Sequence, residues 1–271
     1  DAACECLHLP CPQPDLADWT SMVEALRHPT AEVTIALVGK YTALHDAYIS
    51  VVEALKHGGI TNHATVHIKW IDSEAVTREN AARQLSDVQG ILVPGGFGGR
   101  GIDGMLYAIE YARTNRIPYL GLCLGMQLSI VEYARNAAGL TDAHSMELDP
   151  DTPYPVIALM PDQNGIEDIG GTLRLGSCPC VLAKDSKAYA PYGEQTIHER
   201  HRHRYEVNNE YRSVLTEHGL KLSGTSPDGR IVEMIEIPDH PFFLATQAHP
   251  ELKSRPNRPH PLFKGFIAAA L

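Results

Sequence analysis

The chain has 271 residues, a formal net charge of −10 and 44% hydrophobic residues. The hydrophobic content is enough for a sizeable core and argues against disorder. The negative net charge argues against a nucleic acid or an anionic membrane as partner. No apolar run reaches the roughly 18 residues of a membrane span and no signal-peptide pattern follows Asp1, so we expect a fragment or processed chain of a cytoplasmic protein.

Residues 1–30 differ from the rest of the chain in composition. They contain four prolines and three cysteines and show little periodicity, apart from a short helix predicted within 21–29. Such a composition is typical of a linker or tail. We therefore predict an interdomain linker remnant at 1–30 and one folded domain over 31–271.

From residue 31 to about residue 140, apolar strands alternate with helices. Strands are predicted at 33–38, 64–71, 90–93 and 117–122, and helices at 46–59, 78–85, 102–115 and 124–136. Asp46 is the expected N-cap of the first of these helices and Gly58 its expected C-cap. The alternation predicts a parallel sheet that is covered by helices on both faces.

After residue 150 the pattern changes to short strand-like segments. They fall at 154–160, 171–176, 196–208, 220–226, 230–237 and 242–250, and a helix at 260–271 closes the chain. These strands are predicted to add to the sheet in antiparallel fashion. The predicted fold class is a three-layer α/β sandwich with a mainly parallel central sheet.

The segment GLCLG (121–125) places a cysteine between two glycines where a strand runs into a helix. A tight strand-to-helix turn needs small residues two positions before and after its nucleophile, and the helix N-terminus favours a thiolate. Cys123 is therefore a candidate nucleophile, and a buried structural cysteine is the alternative. The other five cysteines lack the C-x-x-C spacing of a zinc site, so no metal is predicted.

A thiolate that attacks a carbonyl needs backbone donors for the oxyanion. The geometry of the turn makes the amide of Leu124 one donor. The second is expected from 94–101, where five of eight residues are glycine. A flexible turn is the alternative, and a phosphate-binding loop is weaker because neither G-x-x-x-x-G-K-[ST] nor G-x-G-x-x-G spacing is present.

Among fourteen histidines, His249 in QAHPEL (247–252) is the best candidate base. It follows the apolar strand FFLAT, so it would lie at a strand end like Cys123. Pro250 restricts His249 to an extended conformation, in which His249 and Glu251 project to the same side. Glu251 could then orient the imidazole as the third member of a triad.

Together, VPGGFGGRG (93–101), GLCLGMQ (121–127) and HPE (249–251) resemble the class I (triad) glutamine amidotransferases. GKYTALHDAYISVVEALKHGG, GGTLRLG and ERHRHRYEVNN extend this similarity to the glutaminase domains of the CTP synthase branch, from about residue 31 to the C-terminus. The resemblance implies that Cys123 is the nucleophile, His249 the general base and acid, and Glu251 its orienting partner. It also implies that Gly96 and Leu124 supply the oxyanion-hole amides.

For the substrate, the resemblance implies that Gln127, Glu147 and Arg204 contact L-glutamine, with Gly96 and Leu124. An acid and an arginine suit the ammonium and carboxylate of a free amino acid. Without the resemblance, Glu147 would be interpreted as a solvated loop acid. The arginines at 200, 202 and 204 share one face of a predicted strand, which would also fit a patch for phosphate or a neighbouring domain.

The resemblance further implies a partner. Ammonia would pass to a synthetase (amidoligase) domain, absent from this chain, that aminates UTP to CTP with ATP, Mg and the activator GTP. No cofactor is expected in the chain itself, and the full-length enzyme is expected to be a homotetramer. The alternatives are another amidotransferase, a related Cys-His-Glu hydrolase, and a silent regulatory module; the last would need a missing triad residue.

Overall fold

The computed structural model describes residues 2–11, 13–160 and 173–271. The strands in these ranges are Ala31–Gly39 (β1), Ala64–Asp72 (β2), Gly90–Val93 (β3), Tyr119–Leu122 (β4), Ala143–Ser145 (β5), Tyr154–Ala158 (β6), Arg174–Leu182 (β7), Thr196–His203 (β8), Glu206–Val207 (β9), Lys221–Thr225 (β10), Val232–Glu236 (β11) and Phe243–Thr246 (β12). The helices are Ala2–Cys6 (α1), Ala17–Arg27 (α2), Ile49–Thr61 (α3), Ala81–Leu85 (α4), Ile102–Thr114 (α5), Leu124–Asn136 (α6), Tyr189–Tyr192 (α7), Arg212–Glu217 (α8) and Pro261–Ala270 (α9). The first two residues of the strand predicted at 171–176 lie outside the described ranges.

Nine of the described strands form one sheet, in the order β2-β1-β3-β4-β12-β11-β10-β7-β8. The first five strands in this order, β2, β1, β3, β4 and β12, run parallel to one another. From β12 onwards, each strand pairs antiparallel with the next. The prediction that all later strands add in antiparallel fashion was wrong for β12, which runs parallel to β4 with Thr246 opposite Leu122. It was also wrong for β6 and β9, which form a small separate sheet with β5. The ends of β4 and β12 therefore lie side by side.

The core lies on both faces of the large sheet. Successive residues of a strand point to opposite faces, and in β1 Ile35 and Leu37 pack with α3 and α9, whereas Ala36 and Val38 pack with α5 and α6. The predicted three-layer α/β sandwich is confirmed. No helix in the described ranges is both long enough and apolar enough to span a bilayer.

Helix α3 differs from its prediction at both ends. A 3-10 turn at His45–Tyr48 precedes it, and no side chain caps its start, so Asp46 is not the N-cap. The helix continues past Gly58 to Thr61. A Cβ at Gly58 would lie 2.8 Å from the carbonyl oxygen of Phe263, so this glycine permits close packing against α9 rather than ending the helix.

Two other segments also differ from prediction. Helix α4 is confined to Ala81–Leu85 because Asn80 forms a turn with Thr77 and Ala75 instead of extending the helix backwards. In the N-terminal segment, α2 begins at Ala17, earlier than predicted. The side chain of Asp15 accepts a hydrogen bond from the backbone N–H of Ala17 there. Helices α1 and α2 bury none of their residues.

Candidate active site

Cys123 occupies the turn between β4 and α6 with φ 51° and ψ −100°. A positive φ is costly for a residue with a side chain and persists only where the surroundings enforce it. Here the Cys123 amide donates to the carbonyl of Thr246 at 2.8 Å. The side chain is buried. The strained turn predicted from the sequence is thus present at the sheet edge.

The two flanking glycines are required by space. A Cβ at Gly125 would lie 2.2 Å from the carbonyl oxygen of Val93, and one at Gly121 would lie 2.9 Å from the carbonyl carbon of Gly125. We expect Gly125→Ala to lower the free energy of unfolding by at least about 2 kcal/mol, because α6 must move away from β3. Urea titration measures this. Gly99→Ala is the matched control, since a Cβ there meets no atom within 4 Å; equal losses in the two variants would contradict the steric account.

His249 follows β12 and faces Cys123. Its amide donates to the carbonyl of Arg200 at 2.7 Å, and its Nδ1 lies 2.7 Å from Oε1 of Glu251. Burial lowers the pKa of His249, but hydrogen bonds with Cys123 and Glu251 outweigh it and raise that pKa to about 10. Because Glu251 engages Nδ1, the other ring nitrogen is left for the sulfur. This arrangement favours an imidazolium beside Cys123 at neutral pH.

Glu251 reaches the imidazole by a route that differs from the prediction. His249 and Glu251 are not on one extended segment, because Pro250 starts a 3-10 turn over Pro250–Lys253. Proline is well suited to the first position of a helical turn, since it needs no amide hydrogen there. The turn folds the Glu251 side chain back towards His249.

The glycine-rich loop 94–101 closes over the cysteine. A Cβ at Gly95 would lie 2.9 Å from Cε1 of His249 and 3.5 Å from Cβ of Cys123. The Nζ of Lys40, which is buried, donates to the carbonyls of Phe97 at 3.1 Å and Gly98 at 2.6 Å. The loop is therefore held by a lysine that the sequence analysis did not single out.

A cavity of about 270 Å³ opens beside Cys123. Its lining residues are Gly96, Phe97, Cys123, Leu124, Gln127, Glu147, Leu173, His203, Arg204 and Tyr205. All five residues predicted to contact the substrate thus lie around one space. Burial raises the pKa of Glu147, while the charges of Lys40 and Arg204 act against the rise. The Nε of Arg204 is buried and has no partner among the described residues.

A second cavity, of about 300 Å³, also adjoins Cys123. Tyr48, Val51 and Leu252 give it a largely apolar wall, and His249 and Glu251 also line it. Cys123, Gly96 and Phe97 line both cavities. Cys123 therefore lies where the two cavities adjoin.

His201 and His203 of β8 point inwards, opposite to Arg200 and Arg202. Arg200 and Arg202 are exposed, whereas His201 and His203 are buried. The Nε2 of His201 lies 2.8 Å from Glu233, and the Nε2 of His203 lies 2.7 Å from Glu206. Arg174 contacts both of these glutamates. The two imidazoles are thus engaged in a buried hydrogen-bonded network beside the 270 Å³ cavity.

This network predicts a pH dependence of stability. Burial lowers the pKa of His203 to about 3 and raises the pKa of Glu206 to about 8. The stability contributed by Glu206 is full below its unfolded value of 4.5 and is lost as pH rises through about 8. The contribution of His203 is full above 6.5 and is lost as pH falls through about 3.

We therefore expect the urea midpoint to decline between about pH 6.5 and pH 8, and to decline less in Glu206→Gln. One proton accounts for at most about 1.4 kcal/mol per pH unit. His249 also loses its proton late, but it does so in both proteins, so the difference between the curves reports Glu206. Parallel curves for the two proteins would exclude this role of Glu206.

Sequence reasoning missed a residue next to the sulfur. The side chain of Gln247 is fully buried, and its Nε2 lies 3.5 Å from Sγ of Cys123. Its Oε1 accepts from Nε2 of Gln127 at 3.2 Å. The position of Gln247 two residues before His249, which puts both side chains on one side of an extended segment, is the signal that could have found it.

The fold agrees with the comparisons with known proteins. The model of the class-I glutamine amidotransferase family matches residues 43–269. The chain belongs to the class-I glutamine amidotransferases.

Within that family the chain is similar to CTP synthases. It is 60% identical to the enzyme of Carboxydothermus hydrogenoformans and 60% identical to that of Clostridium acetobutylicum, over 98% of this chain and 50% of each relative. The chain thus spans about half the length of the curated relatives it matches. The solved glutaminase domain of Trypanosoma brucei CTPS, with bound acivicin, is 39% identical with a TM-score of 0.83, and the match covers 88% of this chain and 93% of that one.

Proposed function

We propose that the chain hydrolyses L-glutamine to glutamate and ammonia through a thioester on Cys123. The observation that carries this proposal is the position of Cys123, in a strained turn, beside His249 at the adjacent strand end, with Nδ1 of His249 2.7 Å from Glu251. A thiolate paired with an imidazolium, and a carboxylate behind it, is the arrangement needed to attack an amide carbon. The similarity to a glutaminase domain solved with acivicin supports glutamine as the substrate.

The chemistry divides into two steps. The thiolate of Cys123 attacks the carboxamide carbon, His249 gives its proton to the leaving nitrogen, and the C–N bond breaks, so that ammonia leaves and the thioester forms. His249 then takes a proton from a water molecule that attacks the thioester, and it returns this proton to the sulfur as glutamate leaves. In both steps the amides of Gly96 and Leu124 hold the oxyanion. Leu124 is suited to this because the first amides of a helix have no acceptor within the helix.

The 270 Å³ cavity holds the α-amino and α-carboxylate groups of glutamine. Glu147 pairs with the ammonium and Arg204 with the carboxylate, and Gln127 lies on the same wall. Such pairing selects the free amino acid over a glutamine residue within a peptide. The carboxamide then points to Cys123, at the boundary with the second cavity.

The ammonia would serve a synthetase domain that aminates UTP to CTP, with ATP, Mg and the activator GTP bound in the full-length enzyme. The similarity to CTP synthases and the half-length coverage of those relatives support this partner. We propose a homotetrameric assembly in the cytoplasm for the complete enzyme, with no nucleic acid or membrane as partner.

The test of the glutaminase function is the release of glutamate and ammonia from L-glutamine by the purified chain. Equal amounts of the two products are expected. Cys178→Ala is the control, because Cys178 lies on β7 and lines neither cavity described above; it should match the original chain. No release of glutamate and ammonia in the presence of a synthetase domain would contradict the proposal.

Truncating Arg204 or Glu147 should weaken glutamine use mainly through KM. Either change leaves a substrate charge without its partner, at a cost on the order of 2–5 kcal/mol. The head group gains no charge in the transition state, so kcat should change less. Steady-state kinetics of Arg204→Ala and Glu147→Ala measure this, with exposed Arg200→Ala as the matched control.

A substrate analogue separates the two roles. Glutaramate lacks the α-amino group of glutamine, so the original chain should discriminate strongly against it. Glu147→Ala should reduce that discrimination, whereas Arg204→Ala should leave it in place. If Arg204→Ala left KM for glutamine unchanged, the assignment of Arg204 would fall.

A further inference from the structure

The structure assigns Gln247 to the catalytic machinery: we propose that its side-chain amide donates a hydrogen bond to Sγ of Cys123 and holds the sulfur in place opposite His249. The proposal rests on the proposed function only in taking Cys123 as the reacting group. The distance from Nε2 to Sγ is 3.5 Å, which suits a donor to the large sulfur atom, and the side chain of Gln247 is fully buried.

The orientation of the Gln247 amide is fixed by a backbone carbonyl. The carbonyl of Tyr205 can only accept, and it lies 3.0 Å from Nε2 of Gln127. The same nitrogen lies 3.2 Å from the Gln247 amide, which must therefore present its oxygen to Gln127. The Gln247 nitrogen is left to face Cys123. Turning either amide over would bring two donors or two acceptors together.

The main chain places Gln247 at this position. The backbone N–H of Gln247 donates to the carbonyl of Glu233 in β11 at 2.9 Å. The carbonyl of Thr246, the residue before it, accepts from the backbone N–H of Cys123 at 2.8 Å. Gln247 and His249 therefore leave the end of β12 towards the same cysteine, where His249 supplies the proton and Gln247 a fixed donor.

The donor acts on the nucleophile rather than on the substrate. A charged sulfur accepts a hydrogen bond more strongly than a thiol does, so the bond favours the thiolate. Gln247 is buried behind Cys123 and lines neither cavity described above. Its loss should lower kcat and the reactivity of Cys123 while KM for glutamine changes little.

The experiment measures alkylation of Cys123 by iodoacetamide from pH 5 to 10, read by peptide mapping, beside glutaminase kinetics. Gln247→Met removes the donor at nearly constant volume, and Gln247→Asn keeps an amide but cannot reach the sulfur. Both should slow alkylation at neutral pH by roughly tenfold to a hundredfold and move its rise with pH upwards by about one to two units. Exposed Gln195→Met is the matched control and should not change the profile.

Other charged groups near Cys123 stay in place in these variants. His249 contacts the sulfur with Glu251 behind it, and Glu147, His203 and Arg204 line the adjoining cavity. The difference between the profiles therefore reports Gln247. Should Gln247→Met fail to fold, Gln247→Asn or Gln127→Met tests the same hydrogen bond to Sγ of Cys123. Gln127→Met does so because it removes the donor that fixes the orientation of the Gln247 side-chain amide.

The outcomes are distinguishable. Profiles of the Gln247 variants that overlay that of the original chain would overturn the inference, and so would a loss confined to KM. If the unsubstituted chain does not hydrolyse glutamine even with a synthetase domain, the proposed function fails, yet the iodoacetamide profiles still decide whether Gln247 acts on the sulfur.

Discussion

Glutamine hydrolysis is expected to fall by about a millionfold in kcat when Cys123 is replaced by alanine, and by a similar factor for His249→Ala. Each change removes the nucleophile or the group that moves its proton, and the remaining half of the pair cannot act alone. Because the two side chains lie side by side and act in the same proton transfer, Cys123→Ala/His249→Ala should be little slower than either single variant. Ammonia release under saturating glutamine measures all three.

Glu251→Gln should lower kcat less than the Cys123 and His249 substitutions do. It keeps the base but weakens its orientation and the stabilisation of the imidazolium, so a loss of about ten-thousandfold is expected. Cys180, on β7 and buried away from the turn, provides a matched control as Cys180→Ala. Losses that multiply in the double variant would contradict a triad acting as one unit.

Addition of a synthetase domain is expected to raise kcat of the chain by about a hundredfold to a thousandfold. That is the effect of one oxyanion donor, about 2.7–4 kcal/mol. The loop that carries Gly96 is held by hydrogen bonds from Lys40 to the two residues after it, Phe97 and Gly98. A displacement of these carbonyls would move the Gly96 amide, so contact with a partner near this loop can set the second donor.

The measurement compares the chain alone with the chain plus a separately produced synthetase domain, with UTP, ATP, Mg and GTP. We expect kcat to rise more than KM falls. Lys40→Met should reduce this response, because it frees the Phe97 and Gly98 carbonyls. If the chain alone hydrolyses glutamine rapidly and its kcat does not change when the synthetase domain is added, both oxyanion donors are already in place.

Local sequence signals predicted the elements that build the site. The alternation of strands and helices predicted that β3 and β4 end at one sheet edge, and the glycines around Cys123 predicted its turn, since only glycine fits beside Val93 and Tyr119. His249 was found because it follows an apolar strand. The parallel pairing of β12 with β4 was not predicted, because nothing local specifies which strand a later segment joins.

The contacts that were missed join side chains that are far apart in the chain. Gln127 and Gln247 are 120 residues apart and meet only because β12 inserts beside β4. Lys40 reaches the glycine-rich loop across a separation of 57 residues. Such pairs carry no periodicity and are set by the order of strands in the sheet.

Labelling with an electrophilic glutamine analogue tests the central claim most directly. The chain has six cysteines, and Cys6 and Cys11 are exposed whereas Cys123 is buried. Accessibility alone would therefore direct the label to the N-terminal segment. A glutamine pocket with a reactive thiolate predicts the opposite: peptide mapping should find one label, on Cys123, and free glutamine should slow its attachment. Label found chiefly on Cys6, Cys11 or Cys178, with no protection by glutamine, would contradict the account.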